Sequence, residues 1–195
     1  LLGSGGREHA LAKKLAESPR CGKLYIAPGN GGTAAIGENV SLDENDGGAV
    51  ASFAREHGCG LVVIGPEAPL VAGVADSVRA AGITCFGPGA EGAQMEGSKL
   101  FSKRLMGRAN IPTAAYGSFT EEASALAYVR ERGVPLVVKA DGLAAGKGVV
   151  VATDLAQAED AVRGCFAGAF GEAGDTVVIE EMLTGPECSL LAFTD

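Results

Sequence analysis

Lys139 and Lys147 flank a glycine-rich turn in the run LVVKADGLAAGKGVVV, residues 136–151. Gly142, Gly146 and Gly148 share that turn. The β-branched segments 136–138 and 149–151 bracket it, which predicts a two-stranded hairpin closed by a flexible, cationic lid. Glycine lets backbone N–H groups come close to an anion because no Cβ intervenes. Successive N–H groups in such a turn form an anion-binding nest. A lysine at a strand end adds fixed positive charge beside it, and the ligand these features suit is a polyphosphate. A Walker loop would place Lys-Ser/Thr at the start of a helix; here Val149 follows Gly148 and a strand follows the loop. Taken alone, the run fits an ordinary glycine-rich hairpin with exposed lysines equally well.

A second candidate anion site lies near the start of the chain. Gly3, Ser4, Gly5 and Gly6 precede a helix that begins around Arg7 and Glu8, and a helix N-terminus with free N–H groups attracts phosphate. The spacing is not that of a dinucleotide fingerprint, since position 8 is Glu where a third glycine would stand, so no nicotinamide is expected. His9 lies nearby and is read as a structural histidine with no chemical role.

Composition narrows the possibilities. The 195 residues carry 16 basic and 24 acidic side chains, a formal charge of −8, with no Trp and only three Tyr. Such a chain is a poor nucleic-acid binder, so any anion must be held by local lysines and N–H groups. The five cysteines include no CxxC pair, which argues against a disulfide framework or zinc site and fits small apolar residues in a reducing cytosol. No run is long or apolar enough to span a membrane, and no signal peptide is recognisable. A cytoplasmic monomer is expected, with no nucleic-acid or membrane partner. The chain opens on Leu1 with a short apolar run, so part of the first strand is expected to be missing.

Strands and helices then alternate. Strands are predicted at residues 1–2, 24–27, 61–64 and 84–86, and helices at 8–17, 48–57 and 69–81. Short apolar strands alternating with helices imply a parallel sheet covered on both faces. Each strand ends in a glycine-bearing loop, at Gly3, Pro28, Gly65 and Gly87, which points to a site along the carboxyl edge of the sheet. A basic helix at 97–110 follows, ended by Pro112. A second unit then reads as a helix from 120–122 to Arg132, a strand to Lys139, the lid, a strand to Ala152, a helix over 155–165 with Asp154 as N-cap, and a strand over 176–182. A last strand is predicted at 187–193. It would have nothing to pair with, so the chain is read as truncated.

Taken in order, GSGGREHALA (3–12), APGNGGT (27–33), IGPEAPL (64–70), EGSKLFSK (96–103), VVKADGLAAGKGVVVA (137–152) and VIEEMLTGPECS (178–189) resemble the phosphoribosylamine–glycine ligase, or glycinamide ribonucleotide synthetase, family of the ATP-grasp superfamily. The resemblance covers the whole chain; each motif alone is weak, and the ordered set is specific. It implies an α/β chain with a parallel-sheet, Rossmann-like pre-ATP-grasp domain (1–97) that binds the phosphoribosyl substrate. A connecting helix and start of the ATP-grasp core (98–118), a small lid lobe (119–183) and a truncated start of the large lobe (184–195) would follow.

The resemblance also implies a chemistry. Glycine would be joined to 5-phosphoribosylamine at the expense of ATP, through glycyl phosphate, in purine biosynthesis. Positioning and charge neutralisation would do the work, with no protein nucleophile. Lys139 and Lys99 would meet ATP phosphates, with Lys103 as the alternative to Lys99. Gly146, Lys147 and Gly148 would cap the phosphates in a loop expected to be mobile without ligand. Glu180, Glu181, Met182 and Leu183 would receive adenine, largely through backbone groups at 181–183, and Glu187 would accept from the ribose hydroxyls. Gly5, Gly6, Arg7, Glu8, Gly29, Asn30, Pro66 and Glu67 would line the phosphoribosylamine site. Glu67 would either pin ribose hydroxyls or the amine, or serve as a helix-start carboxylate. Magnesium ligands and much of the glycine site are expected beyond residue 195, so the fragment is expected to be inactive alone. Two other readings stand beside this one. The first is another ATP-grasp carboxylate–amine ligase, such as a biotin-carboxylase-like or formyl-transferring purine enzyme. The second is a non-catalytic nucleotide- or phosphosugar-binding module.

Overall fold

In the first part of the chain, short apolar strands lie side by side and parallel. The computed structural model describes residues 1–143 and 148–194, and its contacts divide the chain into two units, Leu1–Gly97 and Ser98–Asp195. In the first, β1 (Leu2–Gly3), β2 (Tyr25–Pro28) and β3 (Glu38–Asn39) form one ladder, and β4 (Leu61–Val63) pairs with β5 (Thr84–Phe86) in another. A parallel bridge between Leu2 and Ile64 joins the two, giving the order β3-β2-β1-β4-β5. The helices are α1 (Gly6–Ala16), α2 (Gly47–Glu56), α3 (Glu67–Val71), α4 (Val74–Ala80) and α5 (Ala90–Gly97). Leu2, Ala27, Val62 and Ile64 from the sheet pack with Val50 and Ala54 of α2 and Val74, Ala75 and Val78 of α4. Removing each large apolar side chain from water contributes about 1.5–3 kcal/mol.

The apolar pattern predicts one continuous helix over 69–81; the structure divides it. Ala72 ends α3, and Gly73 takes the left-handed φ of +80° before α4 begins, a conformation that costs glycine little. Helix α5 has no signature in the sequence, because AEGAQMEG buries only Ala93 and so shows no periodic apolar face.

The second unit opens with α6 (Lys99–Arg108) and builds an antiparallel sheet from β6 (Tyr116–Phe119), β7 (Leu136–Ala140), β8 (Val149–Ala152) and β9 (Val177–Glu181) in the order β6-β9-β7-β8. Strand β6, reading YGSF, is likewise unmarked in the sequence, since Gly117 and Ser118 interrupt its apolar pattern. Helices α7 (Glu122–Arg132) and α8 (Leu155–Gly164) cover one face. Leu136, Val138 and Ala140 of β7 and Val177 and Ile179 of β9 join Ala125, Leu126 and Val129 of α7 and Ala158 and Val162 of α8 in one core. Asp154 caps α8 as expected, accepting from Gln157 N at 2.9 Å.

The strand expected at 187–193 does not form. No ladder among the described residues includes it, and Leu190 and Leu191 are 93% and 90% exposed. Strand β9 is already flanked by β6 and β7, so a return alongside it is closed off.

Candidate functional site

In the first unit, three loops meet at the carboxyl ends of β1, β2 and β4. Gly29 N donates to Gly3 O at 3.2 Å, and Gly65 N donates to Leu2 O at 3.2 Å. Asn30 ties the first two loops together: its Nδ2 donates to Ser4 O at 2.8 Å, while its Oδ1 accepts from Gly32 N at 2.8 Å and Thr33 N at 3.0 Å. Arg7 ties in the third, its Nη1 donating to Gly65 O at 2.8 Å and to Glu67 Oε1 at 2.9 Å. The guanidinium remains open to solvent, with its side chain 58% exposed.

Glu8 turns inward beneath these loops. It is 4% exposed, and its Oε2 accepts from Gly5 N at 2.8 Å. Its Oε1 is buried with no hydrogen-bond partner among the described residues, and Arg7 Nε stands 3.8 Å away. Two glycines make room for this carboxylate. A Cβ on Gly3, whose φ is +119°, would lie 2.4 Å from Glu8 Cγ, and one on Gly65 would lie 2.3 Å from Glu8 Oε1. Gly3 and Gly65 thus also serve to admit a buried acid, which their sequence context alone does not reveal.

Electrostatics at this edge follow from those contacts. Glu67 opens α3; its own backbone N–H, and then Arg7, hold its carboxyl below the usual carboxylate range. The helix-start role weighed for Glu67 is therefore filled, and the Arg7 contact adds to it. Burial, followed by the negative charges of Glu8 and Asp43, pushes the Glu44 carboxyl up. Glu44 Oε2 is buried and has no hydrogen-bond partner among the described residues. The eight residues expected at the phosphoribosyl site, Gly5, Gly6, Arg7, Glu8, Gly29, Asn30, Pro66 and Glu67, all lie on or beside these loops. A cavity of about 690 Å³ lies at the other end of the strands and is lined by Leu1, Tyr25, Phe53, His57 and Leu61 among others; none of the eight lines it.

In the second unit, β7 and β8 form the expected hairpin, with Lys139 opposite Val149. Gly148 closes its mouth, its carbonyl accepting from Ala140 N at 2.8 Å. Gly146 and Lys147 lie outside the described residues. Lys139 Nζ donates to Glu180 Oε2 at 2.9 Å. The sheet register explains the pairing: Lys139 stands opposite Val178, and Glu180 is two residues farther along β9, so both project from the face opposite the helical core.

The first turn of α6 is bound to the stem of the same loop. Asp141 Oδ2 accepts from Ser98 Oγ at 2.8 Å, and its Oδ1 accepts from Leu100 N at 3.0 Å. Lys99 Nζ donates to Gly142 O at 2.8 Å. Ser98 Oγ in turn accepts from Phe101 N, capping the helix. Lys99 and Lys139 are thus held at the root of one loop. Sequence reasoning singles out both lysines and misses Asp141, although an acid two residues past a strand-end lysine is visible there.

Lys103, the alternative to Lys99, is placed differently. It is 6% exposed; its Nζ donates to Thr113 Oγ1 at 2.8 Å and Ala114 O at 3.1 Å, and lies 3.3 Å from Glu180 Oε2. The Tyr116 ring centroid is 5.4 Å away. Among the nucleotide candidates on β9 and beyond, Glu181 exchanges two bonds with Ala115: its N donates to Ala115 O and its Oε1 accepts from Ala115 N, each at 2.9 Å. Met182 and Leu183 follow the end of the strand, and Glu187 lies in the exposed, non-repetitive stretch after it. Among the described residues no group of three or more His, Cys, Asp or Glu side chains is placed to hold a metal ion. No helix among them is long and apolar enough to cross a membrane.

Comparison with known proteins accounts for both units. Residues 1–96 match the family model described as phosphoribosylglycinamide synthetase, N domain, and residues 97–195 match the ATP-grasp (A) domain of the same synthetase. A phosphoribosylamine–glycine ligase from Brucella melitensis is 58% identical over 195 residues, covering 100% of this chain and 46% of the relative. One from Vibrio cholerae is 55% identical over 198 residues with the same coverage. The chain therefore spans about half the length of the curated relatives it matches. The crystal structure of phosphoribosylamine–glycine ligase from Thermotoga maritima superimposes with a TM-score of 0.76 at 28% identity, over 95% of this chain and 44% of that one. An N5-carboxyaminoimidazole ribonucleotide synthetase from Thermus thermophilus shares the fold, with a TM-score of 0.67 at 21% identity over 94% of this chain and 46% of the other.

Proposed function

Because this chain belongs to the phosphoribosylglycinamide synthetase family, we propose that it supplies the phosphoribosyl-binding unit and part of the ATP-binding unit of a phosphoribosylamine–glycine ligase. The reaction joins glycine to 5-phosphoribosylamine with ATP, through glycyl phosphate, giving ADP and phosphate. The observation that carries this reading is 58% identity to such a ligase across all 195 residues, both units included.

Geometry supports a division of labour. In the first unit, three glycine loops and the exposed Arg7 offer N–H groups and a cation to a phosphorylated sugar. Asn30 and Glu67 stand beside them and suit hydroxyl or amine groups. In the second unit, Lys139 and Lys99 flank the root of the loop and suit the phosphates of ATP, which the family's ATP-grasp chemistry requires. Glu180, Glu181, Met182 and Leu183 mark the end of β9, where the adenine would lie, with Glu187 beyond for the ribose. Gly148, at the mouth of the hairpin, lies beside them; Gly146 and Lys147 would add phosphate contacts by the family resemblance alone. No nucleophile of the chain is used; orientation and charge neutralisation lower the barrier.

Two measurements test this. In a protein of the relatives' full length, ATP consumption should require glycine, and equal consumption without glycine overturns the ligase reading. In the 195-residue chain, calorimetry should detect ribose 5-phosphate binding that Arg7→Ala weakens; heats unchanged by that substitution would remove the first-unit edge as the sugar-phosphate site.

A further inference from the structure

Two cations converge on one oxygen of a buried carboxylate. Glu180 is 6% exposed, and its Oε2 lies 2.9 Å from Lys139 Nζ and 3.3 Å from Lys103 Nζ. The two lysines differ in everything else. Lys103 donates to Thr113 Oγ1 and Ala114 O and forms an ion pair with Glu180 Oε2, and its side chain is 7% exposed. Lys139 makes a single contact of this kind among those described, and its side chain is 26% exposed at the mouth of the β7–β8 hairpin.

We propose that Lys103 is the internal counter-cation of Glu180, a charge-balancing and positioning residue that leaves the charge of Lys139 available to an incoming phosphate anion. Glu180 orients Lys139 from β9. A lone Glu180–Lys139 pair would be neutral overall and would compete with a phosphate for the Lys139 ammonium. With Lys103 fixed on the other side, the three groups carry a net formal charge of +1, and the more exposed cation is the one on the open side. Lys103 is thereby removed from the ligand contacts, since its ammonium is buried and held by Thr113, Ala114 and Glu180 inside the protein. This charge balance rests on the nucleotide reading of the lobe, and it makes a sign-specific prediction.

Counting formal charges orders four proteins. The wild type stands at +1, Glu180→Gln at +2, Lys103→Met at 0, and the double variant Lys103→Met/Glu180→Gln at +1 again. The amide introduced by Glu180→Gln can present its carbonyl oxygen where Oε2 sits, so the bond from Lys139 survives. The probe is inorganic tripolyphosphate, which has no base or ribose and so reads the phosphate contact alone. It is titrated by calorimetry into the 195-residue chain at two salt concentrations, with ATP titrated in parallel. The expected result is weakening by about tenfold in Lys103→Met, tightening by several fold in Glu180→Gln with a steeper salt dependence, and return to near wild-type affinity in the double variant. A purely structural role for Lys103 predicts no such rescue, because the double variant lacks two buried partners instead of one.

Unchanged affinity in Lys103→Met, or a double variant as weak as the single one, overturns the proposal while leaving the nucleotide site in place. If Lys103→Met does not fold, Glu180→Gln alone decides, and affinity equal to or below wild type refutes the charge balance. A wild type that binds neither tripolyphosphate nor ATP overturns the nucleotide reading of this lobe, and this inference with it.

Discussion

Replacing Asp141 tests how α6 is fastened to the loop that carries the candidate phosphate contacts. Its carboxylate accepts from Ser98 Oγ and from Leu100 N, at the N-terminal turn of a ten-residue helix. Asp141→Ala removes both bonds. Hydrogen bonds to a charged acceptor contribute about 1.5–3 kcal/mol each; taking the low end twice gives about 3 kcal/mol. The three partners are only partly buried, so water recovers some of this, while loss of a negative charge at the helix N-terminus adds about 0.5 kcal/mol. A net loss of about 2–3 kcal/mol follows, which for a unit of this size lowers Tm by roughly 10–20 °C. Asp141→Asn keeps an acceptor for Leu100 N but loses the charge and one good acceptor for Ser98, so it should fall between, at about 1–1.5 kcal/mol. The assay is urea unfolding of both variants followed by circular dichroism, with Ser98→Ala and the double variant completing a cycle. Ser98→Ala also removes the cap that receives Phe101 N, worth about 1 kcal/mol, and the double variant should cost less than the sum because the Ser98–Asp141 bond is counted twice. A loss under about 0.5 kcal/mol for Asp141→Ala, or strict additivity in the cycle, would refute the fastening.

Other expectations follow from the same contacts. Lys139→Met should weaken ATP binding by about tenfold or more while ribose 5-phosphate binding stays as it was; calorimetry with both ligands reads this directly, and an unaltered ATP titration would remove Lys139 from the nucleotide site. Gly65→Ala forces the new Cβ against buried Glu8 and should cost about 1–3 kcal/mol, measured by denaturant melts; near-neutral behaviour would mean that Glu8 moves freely. Glu44→Gln should raise Tm at pH 7. The Glu44 carboxyl is raised, by burial first and then by Glu8 and Asp43, so its ionised form destabilises the fold at neutral pH. That penalty is absent below the ordinary value of 4.5 and grows as pH rises through the raised one, so the gain from Gln should vanish in acid. A gain in acid, below that ordinary value, as large as the gain at neutral pH would contradict the sign.

Much of this is legible in the chain, and the exceptions share a cause. Local pattern is enough for the short apolar strands ending in glycine loops, for the β7–β8 hairpin and for Asp154, because each depends on neighbours in sequence. The break at Gly73 is not legible, since a helix with or without a left-handed glycine shows the same apolar residues. The partners of Lys103 are hidden for another reason: Thr113 and Glu180 meet it only after β6 and β9 pair, and an isolated basic helix reads as solvated. Asp141 depends likewise on a long-range return to α6. The expected strand at 187–193 is wrong because alternation of apolar residues describes a candidate edge and says nothing about whether a free ladder position exists beside it.

The first unit's sheet is sewn along one stitch. Among the described residues its two ladders meet only at Leu2 and Ile64, and the loops of β1 and β2 lie on one side of that seam while the β4 loop lies on the other. Arg7, reaching from α1 to Gly65 and Glu67, is a side-chain strap across it. A molecule gripped by loops on both sides would act as a second strap, so occupancy should be felt as stiffening along the seam, with slower amide exchange at Ile64 and Gly65, far more than as any change in the shape of either half.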